Sequence, residues 1–264
     1  MIVALIDNGS LEPAAHLNLR TVAAALARRA GVAVEPVSWK HSDRIPTTAL
    51  DGTSACTLAP WVSAKVEAGE RDFLLVPFFI SAQGAIGSAL RTDLEKLSSS
   101  LGGFSFAFTE GLAARGALAG IVAARIRETI SSKKLFRLPV IVVDHGGPSS
   151  TSAALRDGIV AEVRSLLGAD IGPLVAASME GSHGPLLGDT LASPTFDHGD
   201  VVIAPLFLSP GRHAGPEGDL AHIARAASAR VHFTELVGTH PVAVDALAAA
   251  LRDALTSIST PLSA

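Results

Sequence analysis

Residues 201–208 read Val201-Val202-Ile203-Ala204-Pro205-Leu206-Phe207-Leu208, and residues 73–80 read Phe73-Leu74-Leu75-Val76-Pro77-Phe78-Phe79-Ile80. Both are unbroken apolar runs of eight residues. A bilayer-spanning helix needs about 18 or more apolar residues in a row. Runs this short suit strands buried on both faces, as in a parallel sheet covered by helices on either side. The mean hydropathy of +0.39 is therefore read as buried strands and not as membrane spans. The start, Met1-Ile2-Val3-Ala4-Leu5-Ile6-Asp7, lacks a basic region and reads as a first strand rather than a signal peptide.

Outward from these runs the chain repeats itself. Val76-Pro77-Phe78-Phe79-Ile80-Ser81 is echoed by Ala204-Pro205-Leu206-Phe207-Leu208-Ser209. Val3-Ala4-Leu5-Ile6-Asp7-Asn8-Gly9-Ser10 is echoed by Ile141-Val142-Val143-Asp144-His145-Gly146-Gly147, and Phe108-Thr109-Glu110 by Phe233-Thr234-Glu235. Three echoes in one order mark a duplicated unit, with loop residues lost from the second copy. Strands are expected at 2–6, 32–39, 72–80 and 104–110, with helices at 12–30, 56–68, 87–101 and 113–132. The second half repeats this with strands at 139–143, 172–179, 201–208 and 231–237 and helices at 151–167, 216–229 and 241–257; residues 183–196 carry no clear pattern. Pro216 and Pro241 are placed as first-turn prolines of their helices. Alternation of this kind predicts α/β architecture: two similar doubly wound parallel-sheet domains, pseudo-twofold related, over residues 1–134 and 135–264.

Composition narrows the function. The 264 residues hold 21 basic and 25 acidic side chains, a net charge of −4. No basic excess marks a nucleic-acid partner, and no run of sequence marks a membrane partner. Cys56 is the sole cysteine, which excludes an internal disulfide framework and Cys-only metal sites. A soluble, cytoplasmic protein is expected.

Ligands of doubly wound sheets bind beyond the carboxyl ends of the strands. His145 follows the first strand of the second half, Glu180 ends the second strand, His213 lies just past the third, and His240 follows the fourth. All four are expected on one sheet edge. Neighbouring strands lie about 4.8 Å apart, so groups on adjacent strand ends can share one small ion. Two imidazoles and a carboxylate suit divalent first-row metals. Each residue also has a plain reading as a surface or helix-start group. The first half lacks the set: Asn8 stands in place of His145, and no histidine occurs between His41 and His145.

The turn Gly146-Gly147-Pro148-Ser149-Ser150 offers backbone N–H groups and hydroxyls to an anion at a helix start; an ordinary Ser-capped turn is the alternative. The first half offers Ser10 at the matching turn. No Walker loop, dinucleotide fingerprint or Gly-x-Ser-x-Gly elbow is present. Asp144 and His145 are adjacent on a strand and point to opposite faces, which argues against a hydrolytic dyad.

Asp144-His145-Gly146, the Met179-Glu180 strand end, Ala204-Pro205-Leu206-Phe207-Leu208-Ser209-Pro210-Gly211-Arg212-His213 with Asp219-Leu220, and Gly238-Thr239-His240-Pro241 resemble the class II tetrapyrrole chelatases. The likeness is greatest to the sirohydrochlorin chelatases in their long, two-domain form. The second half matches over most of its length, the first in layout only. The resemblance implies a lyase that inserts Fe²⁺ or Co²⁺ into sirohydrochlorin without an organic cofactor. His145 and His213 would bind the metal, and with Glu180 would handle protons. Arg212, Ser149, Ser150 and Ser10 are candidates for the substrate's carboxylates. Some long cobalt-inserting relatives carry a His-rich tract or a Cys-rich cluster motif; neither occurs here, which favours iron and sirohaem. A metal or tetrapyrrole carrier without catalysis is the alternative.

Overall fold

A computed structural model of the chain describes residues 1–81, 85–134, 136–147 and 150–259. Strands and helices alternate as β1 (Ile2–Asp7), α1 (Pro13–Ala30), β2 (Glu35–Ser38), α2 (Leu58–Glu67), β3 (Asp72–Pro77), α3 (Ala85–Ser100), β4 (Ser105–Phe108) and α4 (Leu118–Lys133). The second round is β5 (Val140–Gly146), α5 (Ser150–Leu167), β6 (Leu174–Glu180), α6 (Leu187–Leu191), β7 (Asp200–Pro205), α7 (Asp219–Ala226), β8 (Arg230–Phe233) and α8 (Pro241–Ser259). The strands form two four-stranded parallel sheets in the orders β2-β1-β3-β4 and β6-β5-β7-β8. The two orders are the same permutation, so the sequence repeat is a repeat of topology. No described helix is long and apolar enough to cross a membrane.

The apolar runs sit at the centre of each sheet, where Phe73–Val76 and Val201–Ala204 are buried. Strand geometry stops earlier than hydropathy suggests. Pro77 and Pro205 close β3 and β7, because proline has no N–H to continue a ladder. The next residues turn back in the same way in both halves: the Phe78 N–H donates to the Ile6 carbonyl, and the Leu206 N–H to that of Val143, each at 2.8 Å. The third echo is equally exact in its bonding, with the Thr109 N–H on Leu75 and the Thr234 N–H on Ile203.

Two expectations need revision. The compact units are Met1–Gly116 with Pro241–Ala264, and Ala117–His240, whereas the sequence reading divides the chain between residues 134 and 135. α8 packs on α1 and α4 packs on α5, so each half gives its last helix to the other unit. Arg252 donates to the Arg29 carbonyl at 3.0 Å in the first case, and Arg127 to the Leu166 carbonyl at 2.7 Å in the second. An apolar stripe shows that a helix is covered but not which sheet covers it. The second revision is local. α7 begins at Asp219, so Pro216 lies in the preceding loop, while Pro241 is the first residue of α8. A five-residue helix, α6, occupies the segment that carried no clear pattern.

Candidate functional site

The carboxyl ends of β5, β6 and β7 supply the side chains of interest in the second unit. β5 and β6 run in register to their tips, with Asp144 opposite Ser178 and Gly146 opposite Glu180. Strand alternation separates the two polar residues at the end of β5. Asp144 accepts a 2.6 Å hydrogen bond from Ser178 and lies 3.4 Å from Arg156 Nη1 of α5. Arg156 is 3% exposed, bonds Ser178 as well, and donates to the His183 carbonyl beyond β6 at 3.0 Å. A buried cation thus ties together two strand ends and the loop that follows.

His145 meets different partners. Its ring centroid lies 4.5 Å from that of His213, with the planes at 75°. Its Nδ1 is 3.6 Å from Glu180 Oε1 and 3.3 Å from the Gly146 carbonyl oxygen. Phe207 tilts against His213 with centroids 6.3 Å apart. His145 and His213 keep side-chain exposures of 43% and 33%, so the pair is open to solvent. Residues 145 and 213 are far apart in sequence and meet only because β5 and β7 are neighbours.

The His213 loop is folded back on the start of α7. The Asp219 N–H donates to the Arg212 carbonyl at 3.3 Å and the Leu220 N–H to the His213 carbonyl at 3.1 Å. The Asp219 side chain returns to the loop, with Oδ2 2.6 Å from His213 Nδ1 and 4.0 Å from Arg212 Nε. Asp219 is part of the motif quoted from the sequence, yet nothing in linear spacing assigns it this contact. The tip of β5 is held just as closely. Gly146 has φ +81°, and a Cβ there would lie 1.9 Å from the Glu180 carbonyl oxygen. Only glycine allows the His145 and Glu180 backbones to approach in this way.

The remaining sequence candidates distribute as follows. Arg212 is highly exposed beside Asp219. Ser150 is exposed at the first residue of α5, and Ser149 lies outside the described residues. Ser10 belongs to the first unit, where its Oγ accepts from the Glu12 N–H and its N–H donates to Ser42 Oγ. His240, expected with the others at the sheet edge, is buried with Nε2 3.7 Å from Glu128 Oε1 of α4. Burial depresses its pKa, with Arg125 adding to the effect and Glu128 opposing it. Among the described residues, no group of three or more His, Cys, Asp or Glu side chains is arranged to enclose an ion. The arrangement is an open imidazole pair with Glu180 beside His145 and Asp219 beside His213.

Residues 139–254 match the CbiX family model. No curated protein matches the chain. Among solved structures, the chain is similar to SirB from Bacillus subtilis with Fe³⁺, at 14% identity and a TM-score of 0.66, over 96% of this chain and 95% of that one. It is similar to CbiX, the terminal enzyme for biosynthesis of sirohaem in denitrifying bacteria, at 18% identity and a TM-score of 0.65, over 96% and 99%. It is similar again to the sirohydrochlorin chelatase SirB from Bacillus subtilis subspecies spizizenii in complex with cobalt, at 13% identity and a TM-score of 0.63, over 96% and 95%. At these identities the structural likeness establishes the fold over nearly the whole chain. The likeness to the CbiX family thus lies in residues 139–254, whereas the likeness of fold extends over nearly the whole chain.

Proposed function

We propose that the protein inserts a divalent metal, Fe²⁺ in preference to Co²⁺, into sirohydrochlorin. The observation that carries this reading is the pairing of His145 and His213 with ring centroids 4.5 Å apart. Nδ1 of His213 faces Asp219 and Nδ1 of His145 faces Glu180 and the Gly146 carbonyl. Nε2 of each ring is therefore the nitrogen left to hold an ion. Neutral imidazole is a good ligand for such metals.

The chemistry asks for little more. The free macrocycle carries two pyrrole N–H groups; as M²⁺ takes its place between four ring nitrogens, two protons leave. The two imidazoles released by the departing ion can accept one proton each, and Glu180 beside His145 can relay protons to solvent. An ion in transit must be held weakly enough to move on, and an open imidazole pair with a carboxylate behind each ring fits that need better than a closed cage. Arg212, with its guanidinium in solvent, suits a bidentate grip on a carboxylate of the substrate. Ser150 at the α5 start, together with Ser149 and Ser10, would add hydroxyl donors. The preference for iron is supported by the chain's single cysteine and lack of a His-rich tract.

The test is an anaerobic assay of the purified protein with sirohydrochlorin and each metal, followed through the macrocycle's absorption change. Acceleration over the spontaneous rate, greater for Fe²⁺, is expected. No acceleration with either ion overturns the reading, and one-to-one binding without turnover would make the protein a carrier.

A further inference from the structure

We propose that Asp219 is a positioning residue for His213, fixing the ring so that its proton sits on Nδ1 and its Nε2 lone pair faces the ion. This rests on the chelatase reading above and deepens it. The bond runs from His213 Nδ1 to Asp219 Oδ2 at 2.6 Å. A carboxylate only accepts hydrogen bonds, so the proton in this bond belongs to the imidazole. Fixing the proton on Nδ1 leaves the lone pair on Nε2. A carboxylate in this position also raises the basicity of the ring as a ligand.

A histidine–aspartate contact is not distinctive by itself, and the same unit contains two others. His198 bonds the neighbouring Asp197 through Nδ1, but its side chain is 82% exposed and forms no ring pair. His232 bonds Asp200 through Nε2 at 2.6 Å, and Asp200 begins β7, at the edge opposite the carboxyl tips. Among the described residues, only His213 combines an aspartate within hydrogen-bond distance of Nδ1 with a second imidazole at 4.5 Å; the carboxylate facing His145 Nδ1, that of Glu180, stands off at 3.6 Å.

The backbone reinforces the assignment. The His213 and Arg212 carbonyls accept the first N–H groups of α7, so the helix start and the loop hold each other. Gly218 makes that approach possible. A Cβ at residue 218 would lie 2.6 Å from the His213 carbonyl oxygen and 2.7 Å from that of Arg212. The loop is thus built to deliver a ring to one carboxylate, and that carboxylate begins the helix to which the loop is tied.

Cobalt alone is the probe, bound to the substrate-free protein and read by its visible ligand-field absorption. Asp219→Ala should weaken Co²⁺ binding by about 10–100-fold, the usual cost of losing such a partner. It should raise KM for the metal more than it lowers kcat. Asp219→Glu should recover part of the affinity, and Asp219→Asn, which can accept the same hydrogen bond without the charge, should fall between. Glu217→Ala removes a negative charge two residues away, where Glu217 pairs with Arg225, and should bind Co²⁺ as the wild type does. Wild-type affinity in Asp219→Ala overturns the proposal while leaving the chelatase reading intact. Equal losses in Asp219→Ala and Glu217→Ala overturn it too, since the effect would then be general charge. A wild-type protein that neither binds Co²⁺ nor inserts metal removes both readings together.

Discussion

In each unit a glycine at the tip of the first strand must clear a carbonyl at, or just beyond, the end of the strand that follows. In the first unit a Cβ at Gly9 would lie 1.7 Å from the Lys40 carbonyl oxygen; in the second, a Cβ at Gly146 would lie 1.9 Å from that of Glu180. Both glycines have positive φ, +84° and +81°. Two residues back, each sheet pairs an aspartate with a serine across the ladder, Asp7 with Ser38 and Asp144 with Ser178. The backbone device is therefore common to both units, and the chemistry differs around it. Asn8 occupies the place of His145. Lys40 occupies that of Glu180 and reverses its charge, with its ammonium 3.3 Å from Asp93. The aspartate–serine pair meets His16 in the first unit, whose Nδ1 is 3.4 Å from Ser38 Oγ, and Arg156 in the second. A duplicated fold keeps what the strand ends need sterically and varies the side chains that project from them.

The imidazoles offer the largest way to break this comparison. His145→Ala or His213→Ala should cost about 10²-fold or more in the anaerobic insertion assay, whereas Asn8→Ala and Lys40→Ala should leave the rate unchanged. Equal losses in both units would mean that the first also takes part in the chemistry.

The glycines come next. Gly146→Ala and Gly9→Ala should each destabilise by about 4 kcal/mol, from positive φ together with a backbone clash, as measured by urea denaturation. Assayed cold, where both variants remain folded, only Gly146→Ala should lose turnover, because only there does the displaced strand tip carry His145 and Glu180.

Arg156→Gln should cost about 3 kcal/mol, since it leaves the partly buried Asp144 without its cation. His16→Gln should cost less in the same denaturation experiment, because no ion pair is broken. A reversed order would show that the neutral network of the first unit is the tighter one.

The smallest effect is a matched pair of pH dependences in the first unit. Burial raises the Asp7 pKa to about 6, against opposing hydrogen bonds from Ser38 and Gly9. Burial, helped by Arg20, lowers the His16 pKa to about 4. Between about pH 4 and 6 the folded state holds the Asp7 proton that the unfolded state has lost, so Asp7 makes stability fall as pH rises. Over nearly the same range the unfolded state holds the His16 proton that the folded state lacks, so His16 makes stability rise. The two slopes oppose each other and should nearly cancel in the wild type. Thermal melts from pH 4 to 6 should show a falling trend in His16→Gln and a rising trend in Asp7→Asn. Flat profiles in both variants would show that neither group titrates on folding in this range.

Much of the fold was legible before any coordinates. Short apolar runs, Gly and Pro punctuation and the three echoes predict eight strands and seven helices; α6 is the element that the pattern missed, because five residues span too little of a helical period to register. The tips of the central strands were harder to read, since hydropathy continues through Phe78–Ile80 and Leu206–Leu208 after proline has ended the ladder. At the site, the positions of His145, Glu180 and His213 after strands place them at one sheet edge, and the structure brings the three side chains together there. His240 fitted the same rule and proved to be buried against Glu128. Placement after a strand says where a residue starts and not which way its side chain turns.

What the sequence determined by itself is periodic or local: parallel sheets, the order of elements, the duplication, and the loss of histidines from one copy. These follow from alternation of apolar residues and from backbone rules that act within a few positions. The tertiary structure alone decided the exchange of α4 and α8 between units, the Asp219 contact with His213, and the capture of Asp144 and Ser178 by Arg156. Each of these depends on which surfaces pack together and on side-chain direction over distances that no spacing encodes, and packing is settled only when the whole chain is folded.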